Sequence, residues 1–397
     1  MSVPDSIAVQ VLATSAVQRP STWVRGPVWD GVWMLNALWL VPIALWLAHG
    51  YSDPEASPLD VFYFGLTALF WIGHRLGSTW LAYCTEAYRP LLRSEPVRFV
   101  LLPLLVTGAC FVVFLPPDEA FPWTRWERFV GMAILDYGFV TYHFAAQHFG
   151  AMSLYRMRAE RARCPRTRRH DRIYALGVGG ILVFLADILA GAVAYPDLWI
   201  NRWIPAWVAS NQGAIRTAAT LVLIVATAFM LTAEARAPRP SLPRVLYILG
   251  LAAMVAIALQ PRSLFLYVAI WTAQHWILAV GLTTQTPSGE SAPSGGTIRR
   301  AFHAMNVRPW AILMILVVSS VLLLPLFEVE ASLDGGTFYG DRIFGAVAQG
   351  MRTSIWVPGI VATAFATGFV HYLLDRSVFR MSDPAVRAAA RGLLERP

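Results

Sequence analysis

The stretch "DYGFVTYHFAAQHFGAMSLYRMR" (residues 136–158) is a mostly apolar run that contains Asp136, His143, Gln147 and His148 and ends in arginines. At a rise of about 1.5 Å per residue, a helix over this run is long enough to cross ~30 Å of hydrocarbon. Polar and ionisable groups at that depth are costly, face the interior of a helix bundle and commonly serve a function. The segment therefore predicts a membrane helix that forms one wall of an intramembrane site.

The composition extends this interpretation to the whole chain. The protein has 397 residues, of which 56% are hydrophobic and 14% are charged. Apolar runs of about 20 residues recur between positions 28 and 380, which predicts an all-α, polytopic helical bundle in a membrane. The formal net charge of +8 is explained by arginines that anchor cytoplasmic loops, so no nucleic-acid partner is predicted.

Ten transmembrane helices are predicted from the apolar runs. They lie near 28–49, 61–84, 97–115, 129–155, 173–194, 212–235, 245–260, 263–283, 309–327 and 355–378. Arginines concentrate in alternate loops, whereas the remaining loops are acidic or mixed. Because basic loops are retained in the cytoplasm, both termini are predicted to be cytoplasmic, in a multi-pass protein of the bacterial inner membrane.

One Gly-, Ser- and Pro-rich segment, "TPSGESAPSGGT" (286–297), interrupts the apolar pattern. Compositions of this kind form flexible connections. We therefore predict an eight-helix body over 1–285, a flexible cytoplasmic linker over 286–308, and a C-terminal helix pair with a short tail over 309–397. The pair is expected to pack with the body as one membrane domain.

Five of the eight histidines fall inside predicted spans, all of which run from outside to inside. His74, His143 and His275 lie within roughly 3 Å of the middle of their spans, and His148 and His371 about 7–9 Å toward the cytoplasm. Imidazole is the commonest nitrogen ligand for iron, zinc and copper. The predicted metal ligands are the four histidines on separate helices, namely His74, His143, His275 and His371. Structural hydrogen bonding and a proton or ion path remain open as other roles.

Polar residues near these histidines are predicted to orient them. Asp136 lies seven residues before His143, and Gln147 lies four residues after it, so both share its helix face. Asp375 follows His371 by four residues and shares its face in the same way.

His148 lies one residue off the face shared by His143 and Gln147, which leaves it as a fifth ligand or a proton relay. The tetrapeptide "AQHF" (146–149) recurs as "AQHW" (273–276). Gln147 and its counterpart Gln274 are predicted to contact the cofactor. The predicted catalytic residues are His148, Asp136 and Asp375.

Several metal-binding motifs are absent from the sequence. It has no HExxH motif, none of the repeated HxxxH and HxxHH boxes of membrane desaturases, and no CxxCH motif for covalent haem attachment. These absences disfavour a zincin-type protease, a desaturase and a c-type cytochrome.

The last predicted helix ends in "HYLLDRSVFR" (371–380), which has the pattern H-x3-D-x3-F-R. With isolated histidines on several other spans, this pattern resembles bacterial membrane carotenoid-cleaving oxygenases of the Brp/Blh type. The resemblance implies a non-haem iron held by histidines on separate helices, with His371 as a ligand and Asp375 behind it. The early histidine-rich element of that family has no counterpart here, so a distant relative with other chemistry than carotene cleavage is expected.

The resulting hypothesis is an iron-dependent oxidoreductase or oxygenase. A site inside the bilayer is reached most directly by molecules dissolved there, so the expected substrate is an isoprenoid, quinone, sterol or acyl chain. Another transition metal remains open as the cofactor. Two alternative functions also remain: a haem protein for electron transfer, in which pairs of histidines ligate haem, and a proton-coupled transporter.

Overall fold

The computed structural model describes residues 21–53, 56–160, 165–194, 204–260, 264–289, 296–328, 350–351 and 355–394. The described residues are helical and contain no strand, so the predicted all-α class is confirmed. The longer helices are α1 (Ala37–Leu47), α2 (Ile72–Cys84), α3 (Leu102–Phe114), α4 (Arg125–Glu160), α5 (Pro165–Leu176), α6 (Val183–Ala194), α7 (Gln212–Ala235), α8 (Leu242–Ala258), α9 (Leu264–Gln285), α10 (Thr297–Asn306), α11 (Pro309–Glu328) and α12 (Val357–Val378).

Shorter helical segments precede, follow or continue these helices. Four π-helical segments are Asp30–Met34, Thr67–Trp71, Val97–Leu101 and Gly177–Leu182. Short α-helical segments are Pro27–Trp29, Pro58–Leu66, Arg89–Ser94, Ala206–Ser210, Pro384–Ala389 and Arg391–Leu394, and 3-10 turns are Asp118–Ala120 and Thr286–Gly289. As a result, α2, α3 and α6 are each the last part of a longer continuous helix, over residues 58–84, 97–114 and 165–194.

Six helices in the described part of the chain are long and apolar enough to span a membrane, or up to eight if two bent pairs each count as one span. The six are Val97–Phe114, Arg125–Ala159, Arg166–Ala190, Gln212–Ala235, Phe265–Ser288 and Val357–Val378. The first bent pair joins Pro27–Met34 to α1 at 52°, and the second joins α10 to the following helix at 97°. This is consistent with a multi-pass membrane protein, but it does not confirm the predicted count of ten.

Two of the ten predicted spans account for the difference. The helix over 58–84 is interrupted in its apolar character by His74 and Arg75. Helix α8, predicted as 245–260, has 17 residues and is a shorter apolar helix. Both helices are partly shielded by neighbours, so they need less apolar surface than a lipid-facing span. The predicted linker 286–308 contains α10, and residues 290–295 lie outside the described part.

The four helices that carry the predicted ligands are packed around one another. Helix α2 contacts α9 and α12, and α12 also contacts α4. Aromatic and hydrogen-bonded pairs place Phe129 beside Phe365 and Asp136 beside Tyr372. Residue numbers therefore rise together along α4 and α12, so the two helices run in parallel.

Close approach of α2 to its neighbours depends on two glycines. A Cβ added to Gly77 would lie 2.7 Å from Thr283 Oγ1 on α9, and a Cβ added to Gly73 would lie 2.7 Å from the carbonyl oxygen of Leu316 on α11. Small residues allow this backbone approach in membrane bundles. Because His74 lies between these glycines, the approach places it against α9.

A buried ion-pair network joins α4, α5, α7 and α8. The Asp171 carboxylate, with no exposed surface, accepts from Arg156 Nε at 3.1 Å and from Arg244 Nη2 at 2.5 Å. Arg244 also pairs with Glu234. Some arginines of the basic segments therefore have a structural partner, which a count of loop charges does not show.

Candidate metal centre

Four imidazoles from α2, α4, α9 and α12 meet in one closed cluster. In ring order they are His74, His275, His143 and His371. Adjacent ring centroids are 5.0, 4.8, 4.9 and 4.8 Å apart, and His275 and His371 lie 6.2 Å apart across the cluster. All four residues are buried. We refer to these residues as the histidine cluster.

Each residue of the histidine cluster has one buried ring nitrogen without a hydrogen-bond partner among the described residues. These atoms are His74 Nδ1, His143 Nε2, His275 Nε2 and His371 Nε2. A buried polar atom without a partner costs about 1–3 kcal/mol, and native structures contain few of them. Four such nitrogens in one cluster fit a group that binds them together.

Gln147 fixes the orientation of one ring. His275 Nδ1 lies 2.5 Å from Gln147 Oε1, so the ring donates its N–H to the amide oxygen. Its Nε2 then carries the lone pair and is the atom left unpartnered. Partners of this kind set the tautomer and angle of metal-binding imidazoles.

Asp375 lies beside the rings of His143 and His371, and Ser78 lies beside that of His371. Asp375 Oδ2 is 3.6 Å from His143 Nε2, and Asp375 Oδ1 is 3.5 Å from His371 Nδ1. Ser78 Oγ lies 3.3 Å from the same His371 nitrogen. The carboxylate is therefore placed to ligate an ion itself or to hold the two imidazoles in orientation.

Two overlapping groups of three donors could each hold a metal ion. Ligand atoms of His74, His275 and His371 all lie within 4.8 Å of one another, as do those of His143, His371 and Asp375. Two nitrogens on opposite sides of one ion, each at about 2.1 Å, are about 4.2 Å apart. A small inward movement of the side chains would bring them to bonding distance.

His148 and Gln274 lie in a different polar contact. His148 Nδ1 is 2.7 Å from the hydroxyl of Tyr247 on α8, and the Gln274 side chain also bonds to Tyr247. Five residues along a helix rotate the side chain well away from the face of His143. The predictions of His148 as a fifth ligand and of Gln274 as a cofactor contact therefore have no support in this geometry.

Asp136 also differs from its predicted role. It accepts a hydrogen bond from Tyr372 Oη at 3.1 Å, and no hydrogen bond joins it to His143 among the described residues. Arg75 lies near the same carboxylate, since both side chains are within 4 Å of the position that a Cβ on Gly368 would take. Seven residues correspond to nearly two turns, or about 10 Å along the helix axis, between Asp136 and His143. Asp136 positions Tyr372, whose ring is 5.0 Å from His143.

A cavity of about 610 Å³ runs beside the histidine cluster, mainly between α3, α4 and α12. Its lining is mostly apolar and reaches His143, Gln147, Tyr372 and Asp375. The volume lies in the range of small-molecule sites, which are largely apolar with a few polar groups.

Comparison of the chain with protein-family models, with curated proteins and with solved structures finds no match. The similarity of the last helix to carotenoid-cleaving oxygenases therefore stays a prediction. The site is described by its own geometry.

Three residues of the site were missed by sequence reasoning. Ser78 follows His74 by one helical turn, so its spacing was a usable signal. Tyr372 is adjacent to His371 in the chain, and its contact with Asp136 depends on the packing of α12 on α4. Arg75 stands beside His74 in a membrane-length helix, and an intramembrane cation is itself a signal of function or of a buried partner.

Proposed function

We propose that this protein is a membrane metalloenzyme that oxidises a lipid-soluble substrate at an iron held by His74, His143, His275 and His371. The observation that carries the proposal is the set of four unpartnered imidazole nitrogens beside a mostly apolar cavity. Imidazole and carboxylate donors with open positions are typical of non-haem iron sites. The bacterial inner membrane is the proposed location.

The cavity supports a substrate that enters from the bilayer. Leu135, Phe139 and Tyr142 line it and yet remain 49%, 47% and 48% exposed. The apolar wall thus continues from the cavity to the outer surface of the bundle. A hydrophobic molecule can move along this wall without crossing water.

Each residue of the site has a defined task in this proposal. The histidine cluster holds the ion, and Gln147 keeps His275 in the tautomer that presents Nε2. Asp375 offsets positive charge and orients His143 and His371. When bound, iron supplies the activation of molecular oxygen, which is the oxidant of the reaction. The apolar lining binds the substrate and excludes water.

Elemental analysis of the detergent-purified protein tests this proposal. Wild-type protein, expressed without added metal, should contain close to one iron per chain, and His143→Ala should lose it. His148→Ala is the matched control, because His148 is buried on the same helix but bonds to Tyr247. Purified wild-type protein without metal, or equal metal loss in both variants, would contradict the proposal.

The absorbance spectrum of the same sample separates iron from haem. A strong Soret band would assign haem and reject the non-haem centre. The geometry favours the non-haem centre, since neighbouring rings of the cluster are 4.8–5.0 Å apart and leave no space for a porphyrin between them.

A further inference from the structure

The cavity beside the histidine cluster changes in character along its length. Near His143 its polar groups are Gln147, Tyr372 and Asp375. Farther along α4 it is lined by Ser153 and Arg156. At 1.5 Å per residue, Arg156 lies about 20 Å from His143 along the helix axis.

Two donors in this second region are buried and unpartnered. Arg156 is 4% exposed, and its Nε bonds to Asp171, but its Nη1 has no hydrogen-bond partner among the described residues. Ser153 Oγ is likewise buried without a partner. Both residues line the cavity, and a guanidinium beside a hydroxyl is suited to an oxygen ligand, with the guanidinium favouring an anion.

Further arginines line the same end. Arg168 lies three residues before Asp171 on α5, which places it next to Arg156 on the same helix face. Arg380 follows the end of α12, which runs parallel to α4, and Arg376 lies one turn nearer the histidines. All three line the cavity, and none pairs with an acidic side chain within the described ranges. Asp375, next to the histidines, is the single carboxylate in the described lining.

We infer that the cavity binds a single-chain amphiphile with an acidic head, a carboxylate or a phosphate monoester. The head lies against Arg156, Arg168, Arg380 and Ser153, and the hydrocarbon chain extends along the apolar wall to the histidine cluster. This inference rests on the proposed function and names its substrate class. The distance of about 20 Å then determines which carbon of the chain reaches the metal. A neutral hydrocarbon would leave the buried Arg156 Nη1 unpaired.

The test measures head-group selectivity in discs of neutral phosphatidylcholine, using full-length protein. The probes are spin-labelled stearate and its uncharged methyl ester, and the immobilised fraction of each is read by electron paramagnetic resonance. Wild-type protein should bind stearate at least about tenfold more tightly than the ester, the value of one charge-assisted hydrogen bond. The Arg168→Gln/Arg380→Gln variant keeps Arg156 and should lose most, though not all, of this preference.

The matched control is Arg169→Gln/Arg300→Gln. Both arginines are exposed, and neither lines the cavity. The control removes the same charge and should keep the wild-type preference. Equal binding of stearate and ester by the wild type, or equal loss of preference in both double variants, would overturn the inference. Displacement of stearate by millimolar inorganic phosphate alone would also overturn it, because the site would then recognise a free anion rather than a lipid.

Iron content measured on the same discs separates this inference from the proposed function. Discs without iron that still prefer stearate would reject the proposed reaction and leave the head-group site standing. Discs with iron that bind both probes alike would reject the head-group site alone.

Discussion

The histidine cluster and the ion-pair network around Asp171 are both buried polar sites, yet their polar groups are satisfied differently. In the network, the Asp171 carboxylate accepts from Arg156 and Arg244, and Arg244 also pairs with Glu234. In the cluster, each of the four imidazoles has one buried ring nitrogen without a hydrogen-bond partner among the described residues. No hydrogen bond joins these nitrogens to one another within the described residues, and neutral imidazole nitrogens are common ligands of transition-metal ions. The comparison separates a site whose buried carboxylate is paired with two cations from one whose imidazoles each keep a ring nitrogen without a hydrogen-bond partner, although Arg156 Nη1 in the network also has no such partner among the described residues.

The largest expected loss of stability follows from removal of Asp171, the central carboxylate of the ion-pair network. Asp171→Ala leaves Arg156 buried without its carboxylate and Arg244 paired only with Glu234, so the free energy of unfolding should fall by about 3–5 kcal/mol. Thermal unfolding in detergent, followed by circular dichroism, measures this. Glu119→Ala is the control, since Glu119 is exposed. An equal melting temperature for Asp171→Ala and wild type would show that the network contributes little.

Metal removal should lower the melting temperature only when the histidine cluster is intact. A ligand that binds only the folded state stabilises it, by about 2.7 kcal/mol at a free concentration one hundred times its Kd. An iron chelator should therefore lower the melting temperature of wild-type protein and leave that of His371→Ala unchanged. A chelator effect of the same size in His371→Ala would show that the metal binds elsewhere.

A smaller effect is expected from the residue that orients His275. Gln147→Leu removes the acceptor for His275 Nδ1, so metal affinity should fall about 10–100-fold without loss of the fold. Competition with a calibrated chelator measures the affinity. Gln274→Leu is the control from the repeated tetrapeptide and should keep wild-type affinity. If both variants lose affinity equally, the tetrapeptide repeat and not the local contact is responsible.

The smallest effect on stability is expected at the partly exposed Glu86–Arg299 ion pair, in which Arg299 Nη2 lies 2.5 Å from Glu86 Oε2. A hydrogen bond from Arg299, with help from the charge of Arg89, lowers the pKa of Glu86 below its ordinary value. A carboxyl whose pKa is lower in the folded state stabilises the protein above its unfolded-state pKa, and this contribution is lost as pH falls through its folded-state pKa.

Glu86→Gln should therefore change the melting temperature only slightly at pH 7, since exposed ion pairs contribute little. The difference between the variant and the wild type should disappear at acidic pH. Melting temperatures recorded between neutral and acidic pH test this, and a difference that grows as the pH falls would contradict the assignment.

The sequence predicted the helical class and much of the candidate site. Apolar runs of membrane length are a local property, so the class followed from them directly. His74, His143 and His275 are identified by depth within their spans, which depends only on the constant helical rise, and His371 is identified by the H-x3-D-x3-F-R pattern of the last helix. Gln147 was chosen because four residues bring side chains onto one face, and it does contact a cluster residue, although on α9 rather than its own helix.

Other predicted site residues have contacts that local spacing does not indicate. Asp136 shares a face with His143, but packing against α12 directs it to Tyr372. Gln274 has the same local sequence as Gln147, yet it faces Tyr247 because α9 meets α8 there. Identical tetrapeptides therefore have different contacts when their helices have different neighbours.

The sequence by itself determined that this chain forms long apolar helices with histidines at one depth, because helix periodicity and hydropathy are properties of the chain alone. Only the tertiary structure decided that four of those histidines meet and that a cavity extends from them to Arg156. These depend on side-chain packing between helices distant in sequence, such as the close approach at Gly73 and Gly77, which no single helix specifies.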